Sequence, residues 1–294
     1  MKRDMAAAAS GSTTDVREFN AALDGLRVVS MLLVIAAHLF PLGPKPLKLN
    51  YAVGVVGMAI FLSLSGYLIA SQLLRGVDLR EFMIKRMIRV IPLSWLVILF
   101  LFWTSHASSD SLVRNLTFTA NLPVQSYLPF GGHLWSIDLQ MQFYALMAGL
   151  CALFSASAAL HLAVLLGVAS TAAKLAFGEF GSSVSWFRAD EILVGCSAVL
   201  MLEAKSWKGI RAAVEWVPGW GLIAAFFFSC HPVSGAFGAT RAYLAGALMF
   251  KLAVDPSCMG RWLVWSGFRQ HARISYAIYL LHLALLVTWL GGGW

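Results

Sequence analysis

The feature that most constrains this chain is a series of long apolar segments separated by short polar connections. A helix needs about 20 largely apolar residues to cross the hydrocarbon core of a membrane, and these runs are continuous rather than alternating, unlike the strands of a membrane β-barrel. With 59% hydrophobic and 12% charged residues, the chain is also too apolar for a soluble domain. The sequence therefore predicts an all-α fold, a polytopic membrane bundle of about nine to ten transmembrane helices. The predicted spans lie at about 26–42, 51–74, 90–104, 134–155, 158–177, 189–202, 213–230, 235–254 and 274–293.

The distribution of basic residues predicts the orientation of this bundle. Most of the 22 lysines and arginines lie in the N-terminal tail and in the loops after the second, sixth and eighth apolar segments. Alternating spans place these four regions on one side, which the positive-inside rule makes cytoplasmic. Because the basic residues follow membrane sidedness, they do not indicate a nucleic-acid-binding patch. We expect residues 1–20 to form a flexible cytoplasmic tail, with the N-terminus inside, and residues 21–294 to form the membrane domain.

Three polar residues inside predicted spans indicate a buried polar centre. His38, Ser65 and His282 each lie nine to eleven residues from an arginine expected at the cytoplasmic boundary. At 1.5 Å per residue these separations are about 14–16 Å, close to half of a hydrocarbon core of about 30 Å. The spacing predicts that all three side chains lie near one depth, where ionisable groups are costly and commonly functional. A structural role, as an interhelical hydrogen bond for His38 or as close helix packing for Ser65, remains open.

The last apolar segment adds further candidates on one helix face. Ser275, Tyr279 and His282 are spaced i, i+4, i+7 in ISYAIYLLH, so a helix presents them on the same side. An aromatic belt at the membrane interface would explain the tyrosine, but it would not explain a histidine almost one turn deeper.

The third and fourth segments begin with charged and polar groups. Arg86 and Arg89 are i, i+3 with Lys85 adjacent, which fits either a positive-inside anchor or a phosphate-binding site, because guanidinium forks match phosphate oxygens. In the fourth segment, Asp138 lies one turn into the helix after Trp135. A carboxylate at that depth needs a partner or water, which indicates an aqueous cleft on the opposite side.

Five segments, taken in order, resemble the integral-membrane acyltransferase 3 family, and FRADEILVGC is a weaker sixth match. Members of this family are acyl-CoA-dependent O-acyltransferases of bacterial surface sugars. Together the matches cover about residues 20–290. The five segments are LDGLRVVSMLLVIAAH, VGVVGMAIFLSLSGYLIA, the Arg86-x-x-Arg89-x-x-Pro92 stretch, LWSIDLQMQFY and ISYAIYLLH.

The resemblance implies a membrane acyltransferase domain in the bacterial inner membrane. Its donor would be acyl-CoA, with acetyl-CoA the expected form, and its acceptor a hydroxyl of a polysaccharide, a lipid-linked sugar or a glycosylated small molecule; no metal is expected. The implied catalytic residues are His38, Ser65, Tyr279 and His282. The implied acyl-CoA-binding residues are Arg86, Arg89, Lys85 and Arg27, and the implied acceptor-binding residues are Trp135, Asp138, Gln140 and Tyr144.

The reaction implied for His38 is removal of the hydroxyl proton, because burial favours the neutral imidazole that a general base requires. An acyl-histidine intermediate on the same residue is an open alternative.

This chain departs from the usual family pattern in two places. The family usually carries glutamate where this chain has Gln140, and it usually has a further hydrophobic helix after the last matched segment. This chain could be a short member, a truncated one, or one with that helix in 255–273. A transporter or flippase, or a catalytically degenerate member, is therefore an alternative function.

Overall fold

A computed structural model describes residues 13–255 and 261–287, and all regular secondary structure in these two ranges is helical. Short 3-10 turns connect several of the α-helices. The α-helices are α1 (Thr13–Leu39), α2 (Leu49–Leu74), α3 (Leu79–Ser105), α4 (Ser109–Leu116), α5 (Trp135–Leu153), α6 (Ala156–Phe177), α7 (Ser185–Arg188), α8 (Asp190–Gly195), α9 (Ser197–Glu203), α10 (Lys208–Trp216), α11 (Gly219–Cys230), α12 (Arg241–Val254) and α13 (Gly267–Leu281).

Four helical segments are long and apolar enough to cross a membrane, within the ranges that the structure describes. They are Ala21–Leu39, Lys45–Leu74, Leu79–Ser105 and Ala156–Phe177. A fifth crossing is added if Lys205–Trp216 and Gly219–Cys230, which meet at a bend of 93°, form one broken span. The helical membrane character predicted from the sequence is therefore supported, whereas the predicted count of nine to ten spans is not confirmed.

The predicted span at 189–202 is not one continuous helix in the structure. This stretch is divided into two short helices, α8 and α9, which meet at Cys196. Its first turn carries two carboxylates that are fully buried and paired, Asp190 with Lys174 and Glu191 with Arg241. Likewise α12 has 14 residues, a length of about 21 Å, against a hydrocarbon core of about 30 Å. These segments are apolar because they are enclosed by other helices.

Close contacts between backbones hold α2 against its neighbours. A Cβ added at Gly66 would lie 2.0 Å from the carbonyl oxygen of Ile192, and one added at Gly195 would lie 2.5 Å from that of Ser63. On the other side, a Cβ at Gly57 would lie 2.6 Å from the carbonyl oxygen of Ser30. Small residues permit this close approach of helices in membranes. They fix α2 between α1 and α8 and so set the position of its polar residues.

The two ends of the chain differ from the sequence prediction. Helix α1 begins at Thr13, inside the predicted tail of residues 1–20, and the first 12 residues of that tail lie outside the described ranges. The predicted last span at 274–293 corresponds to the end of α13 and to a 3-10 turn, Ala284–Val287. Its residues from 288 onwards, and the segment 256–260, lie outside the described ranges.

Candidate active site

Three arginines line a cavity between α1, α2, α3, α5 and α13. This arginine cavity encloses about 720 Å³ of empty space, part of it open to solvent. Three guanidinium groups and no carboxylate belong to its described lining, so its walls favour an anion. The residues that define it include Arg27, Arg86, Arg89, Ser65, Gln140, Tyr144, Ser275, Tyr276 and Tyr279.

Contacts with neighbouring side chains position two of the three arginines. Arg86 donates from Nη2 to Oε1 of Gln72 at 2.8 Å, and its guanidinium lies 5.3 Å from the ring centre of Phe82 and 5.9 Å from that of Tyr144. Arg27 pairs with Asp24 at 3.3 Å on the same helix. Stacking on aromatic rings holds a guanidinium without neutralising it. Arg86 is therefore positioned without a carboxylate partner and can bind an anion.

Ser65, Gln140 and Tyr144 belong to this arginine cavity. The side-chain amide of Gln140 donates to the hydroxyl of Tyr144 at 2.6 Å and, at 3.4 Å, to Oγ of Ser65. The sequence placed Gln140 and Tyr144 with the acceptor and Ser65 with the catalytic histidines. The structure instead places all three in the same lining as the arginines.

A second cavity surrounds His38 at the end of α1. This histidine cavity has about 1060 Å³ of empty space, part of it open to solvent. Its lining combines polar and aromatic side chains with aliphatic ones, and includes the loop before α5 and the loop between α6 and α7. The residues that define it include His38, Asn50, Tyr51, His133, Trp135, Ser182, Ser183, Arg188 and Tyr279.

A chain of hydrogen bonds fixes the proton positions on two histidines. Nδ1 of His282 lies 2.5 Å from the carbonyl oxygen of Tyr279, and Nε2 of His282 lies 3.1 Å from Nδ1 of His38. A carbonyl oxygen can only accept, so Nδ1 of neutral His282 carries the proton and its Nε2 accepts from Nδ1–H of His38. The remaining nitrogen of His38, Nε2, keeps its lone pair. The contact thus produces the tautomer that a general base needs.

Tyr279 and His133 complete the packing around this pair. The hydroxyl of Tyr279 donates to the carbonyl oxygen of His133 at 2.9 Å and lies 2.6 Å from Oγ of Ser136. The His133 ring centre is 4.9 Å from that of His282, and Nε2 of His133 donates to the carbonyl oxygen of Leu280 at 3.1 Å. Burial lowers the pKa of His133 to about 3, with the neighbouring His282 as a further cause. His133 is therefore neutral at physiological pH and adds no charge to the pair.

The two cavities meet at a common wall. Val34, Met58 and Tyr279 line both of them. The hydroxyl of Tyr279 also contacts the sulfur of Met58 at 3.8 Å. Three side chains thus separate the arginines on one side from His38 on the other.

Three predicted site residues are absent from the described lining of both cavities: Lys85, Asp138 and His282. His282 still contacts His38 through its ring nitrogen. Lys85 is exposed and pairs with Glu81 at 2.5 Å, one helical turn away on α3. Asp138 is 1% exposed, and its Oδ2 has no hydrogen-bond partner. Trp135 does line the histidine cavity, as predicted from the sequence, and the guanidinium of Arg188 lies 5.3 Å from its ring centre. The aqueous cleft inferred from Asp138 is thus lined by Trp135 and not by Asp138 itself.

The sequence did not single out His133 and Arg188 as site residues. His133 lies two residues before Trp135, a residue type that is common at membrane interfaces, and Arg188 lies at the edge of an apolar segment. The signal that could have found Arg188 was the density of charge in FRADE followed by an apolar run. Among the described side chains, no group of three or more histidine, cysteine, aspartate or glutamate residues is arranged to hold a metal ion.

Comparison with known proteins shows which proteins this chain is similar to. The protein "Putative peptidoglycan O-acetyltransferase YrhL" of Bacillus subtilis is 26% identical over 90% of this chain and 48% of its own length. The protein "Peptidoglycan O-acetyltransferase OatA" of Listeria monocytogenes is 24% identical over 92% of this chain and 50% of its own length. The chain thus spans about half the length of these curated relatives. No solved structure matches it.

The family model described as "Acyltransferase domain" matches residues 20–293, nearly the whole chain. This range contains both cavities and the wall between them. The resemblance inferred from the five sequence segments is thereby confirmed, and the chain belongs to this acyltransferase domain family.

Proposed function

We propose that the chain is a membrane-embedded O-acyltransferase that moves an acyl group, acetyl being the expected one, from acyl-CoA to a carbohydrate hydroxyl. Family membership supports acyl transfer. The names of the two relatives, both peptidoglycan O-acetyltransferases, support an O-acetyl product and a cell-surface carbohydrate as acceptor.

The observation that carries the proposal is the pair of cavities with a common wall. One cavity has three arginines and no carboxylate in its described lining, which suits a phosphate-bearing donor. The other presents His38 with a free lone pair, which suits an acceptor hydroxyl. A thioester that reaches the wall of Val34, Met58 and Tyr279 would then face the activated hydroxyl.

On the donor side, the phosphates of acyl-CoA would bind Arg86, Arg89 and Arg27. Arginine binds phosphate oxygens through two parallel hydrogen bonds, and these charge-assisted bonds are among the stronger ones in proteins. The pantetheine arm would extend along Ser65 and Gln140 towards Tyr279, since these residues line the same cavity. We place this cavity at the cytoplasmic face of the inner membrane, where the positive-inside rule places the basic loop before α3.

On the acceptor side, Nε2 of His38 would remove the proton of the hydroxyl as its oxygen attacks the thioester carbonyl. A C–O bond forms, the carbonyl oxygen becomes negative, and its collapse breaks the C–S bond. The CoA thiolate leaves and takes up the proton held by His38. General-base assistance of this kind contributes about 10²–10⁴-fold.

His282 acts in this mechanism by orienting His38. Both of its ring nitrogens are engaged, with Tyr279 and with His38, so it has no free N–H for the negative carbonyl oxygen. Tyr279 lines both cavities, and its hydroxyl would have to release the carbonyl oxygen of His133, to which it now donates, in order to donate to that oxygen. Ser65 contacts Gln140 in the arginine cavity, which favours a role in donor binding.

The first test of the proposal is loss of the base. We expect His38→Ala to lower acetyl transfer from radiolabelled acetyl-CoA to cell-surface glycan by about 10²–10⁴-fold, with normal amounts of protein in the membrane. His161→Ala is the matched control, because His161 is a half-buried histidine that contacts Trp207 outside both cavities. Normal acetyl transfer by His38→Ala would exclude His38 as the base. If the wild-type chain moves a solute across the membrane and transfers no label to glycan, the transporter alternative is favoured.

The second test concerns the donor site. We expect Arg89→Ala to raise the KM for acetyl-CoA by about tenfold or more, because a charge-assisted contact to phosphate is lost. Lys85→Ala is the matched control, since Lys85 is a neighbouring cation outside the cavity, paired with Glu81. Equal effects of the two substitutions on KM would contradict the assignment of the arginine cavity.

A further inference from the structure

A cluster of buried charges lies behind the histidine cavity. It joins α6, α7, α8 and α12, and each of its side chains is at most 5% exposed. Three of its members are cations and two are carboxylates, so the cluster carries an excess of positive charge. Its members are Lys174, Arg188, Asp190, Glu191 and Arg241.

The pairing within this cluster is uneven. Lys174 lies 2.6 Å from Asp190, and Nε of Arg241 lies 2.6 Å from Oε1 of Glu191. Each carboxylate thus has one close cationic partner. Arg188 is left 3.5 Å from the same Oε1 of Glu191, and its Nε has no hydrogen-bond partner. A buried cation without a full partner is costly, so Arg188 is the member whose charge is least compensated.

Arg188 is also the member of the cluster that borders a cavity. It lines the histidine cavity with His38 and Trp135, whereas Arg241 lines neither of the two cavities. Its guanidinium is held over the Trp135 ring at 5.3 Å. No carboxylate is among the described lining residues of this cavity. The positive excess of the cluster is therefore directed at the space where His38 presents its free nitrogen.

We propose that Arg188 binds an oxyanion carried by the acceptor, so that the histidine cavity selects acidic sugars over neutral ones. The oxyanion is the carboxylate of a sugar acid or the phosphate ester of a sugar, and either can be bound by the fork of a guanidinium. The inference rests on the proposed function, since it assumes that the acceptor occupies this cavity. Arg188 would anchor the charged group while another hydroxyl of the same sugar lies at His38.

Binding to the full-length chain in detergent, without acyl donor, tests this inference. The probes are galactose, galacturonate and galactose 6-phosphate, which share one ring and differ only at C6. At low salt we expect at least one acidic sugar to bind about ten- to a hundredfold more tightly than galactose, and the tighter of the two identifies the oxyanion. Equal binding of all three sugars, or no binding of either acidic sugar, would overturn the proposal.

Variants separate recognition from folding. We expect Arg188→Gln to abolish the preference for the acidic sugar, while Glu191 keeps its close partner Arg241. If Arg188→Gln does not fold, Arg188→Lys is used, which retains a charge without the fork and should weaken the preference severalfold. Arg241→Lys, which alters the same cluster away from the cavity, should keep it. An unchanged preference in a folded Arg188 variant would overturn the proposal.

A parallel assay of acetyl transfer distinguishes this inference from the function on which it rests. Transfer to neutral and acidic sugars at equal rates would refute the role of Arg188 and leave the O-acyltransferase proposal intact. A preference for acidic sugars in binding, together with no transfer from acetyl-CoA to any of them, would refute the proposed function and leave the anion site intact.

Discussion

At the scale of single residues, the protonation of His38 depends on a partner 244 residues later in the chain. The carbonyl oxygen of Tyr279 fixes the tautomer of His282, because it accepts Nδ1–H of that ring. Nε2 of His282 then accepts Nδ1–H of His38, so the lone pair of His38 is on Nε2. This arrangement resembles other active sites in which a base is oriented by a second group. The tautomer of His38 is therefore set by the contact between α1 and the end of α13.

The role of His282 as a positioning residue predicts a specific pattern of rescue. His282→Leu removes the acceptor for Nδ1–H of His38, and we expect kcat to fall by about a hundredfold with the KM for acetyl-CoA unchanged. His282→Gln restores a side-chain oxygen that can accept this proton, and we expect it to retain activity within about tenfold of the wild type. Equal losses in both variants would mean that the imidazole of His282 acts in another way.

The sequence identified both histidines, but their contact came from packing. His38 and His282 were predicted to lie near one depth, and the structure brings their rings together at a centroid distance of 5.1 Å. Ser65 was predicted at the same depth, yet it lies with Gln140 in the arginine cavity. Counting residues from an arginine assumes that every helix is straight and begins at the same level. It gives no information about which face of α2 meets which neighbour.

At the scale of helices, close backbone packing places the polar residues of α2. Gly66 follows Ser65, and its Cα faces the carbonyl oxygen of Ile192 on α8. Close helix packing was one interpretation of Ser65 in the sequence, and the contacts of the adjacent Gly66 fit that interpretation. The hydroxyl of Ser63 also donates to the carbonyl oxygen of Glu191 at 3.1 Å. A displacement of α8 would therefore move both cavities.

A single methyl group tests this packing. We expect Gly66→Ala to lower the free energy of unfolding by about 1–3 kcal/mol, because the new Cβ would lie 2.0 Å from a carbonyl oxygen. Gly149→Ala in α5 is the matched control: no atom lies within 4 Å of its added Cβ, and alanine is the better helix former by up to about 1 kcal/mol. Thermal unfolding of the detergent-solubilised chain measures both, and equal stability of the two variants would contradict the packing described for α2.

The helix at 189–202 shows the limit of prediction from hydropathy. Its apolar residues fit a span as well as an enclosed segment, and the sequence shows only that it begins with charged residues. Their partners, Lys174 and Arg241, come from α6 and α12. Because these pairings join distant parts of the sequence, spacing along the chain could not reveal them.

At the scale of the whole molecule, the two cavities give the bundle its functional organisation. Arginines gather on one side of the wall formed by Val34, Met58 and Tyr279, and polar, aromatic and imidazole groups gather on the other. The division agrees with a reaction between a phosphate-bearing donor and a hydroxyl acceptor that approach from opposite sides. The sidedness of the bundle, inferred from its basic loops, stays a prediction.

The central claim is that donor and acceptor meet at the wall between the cavities, and Val34→Phe tests it most directly. Val34 is 2% exposed and lines both cavities, so a phenyl ring there would fill the junction between them. Leu32→Phe, at a position 50% exposed on the same helix, is the matched control. The measurement is acetyl transfer and acetyl-CoA binding by each variant. We predict that Val34→Phe lowers transfer by about a hundredfold and keeps acetyl-CoA binding, whereas wild-type transfer by Val34→Phe would contradict the account.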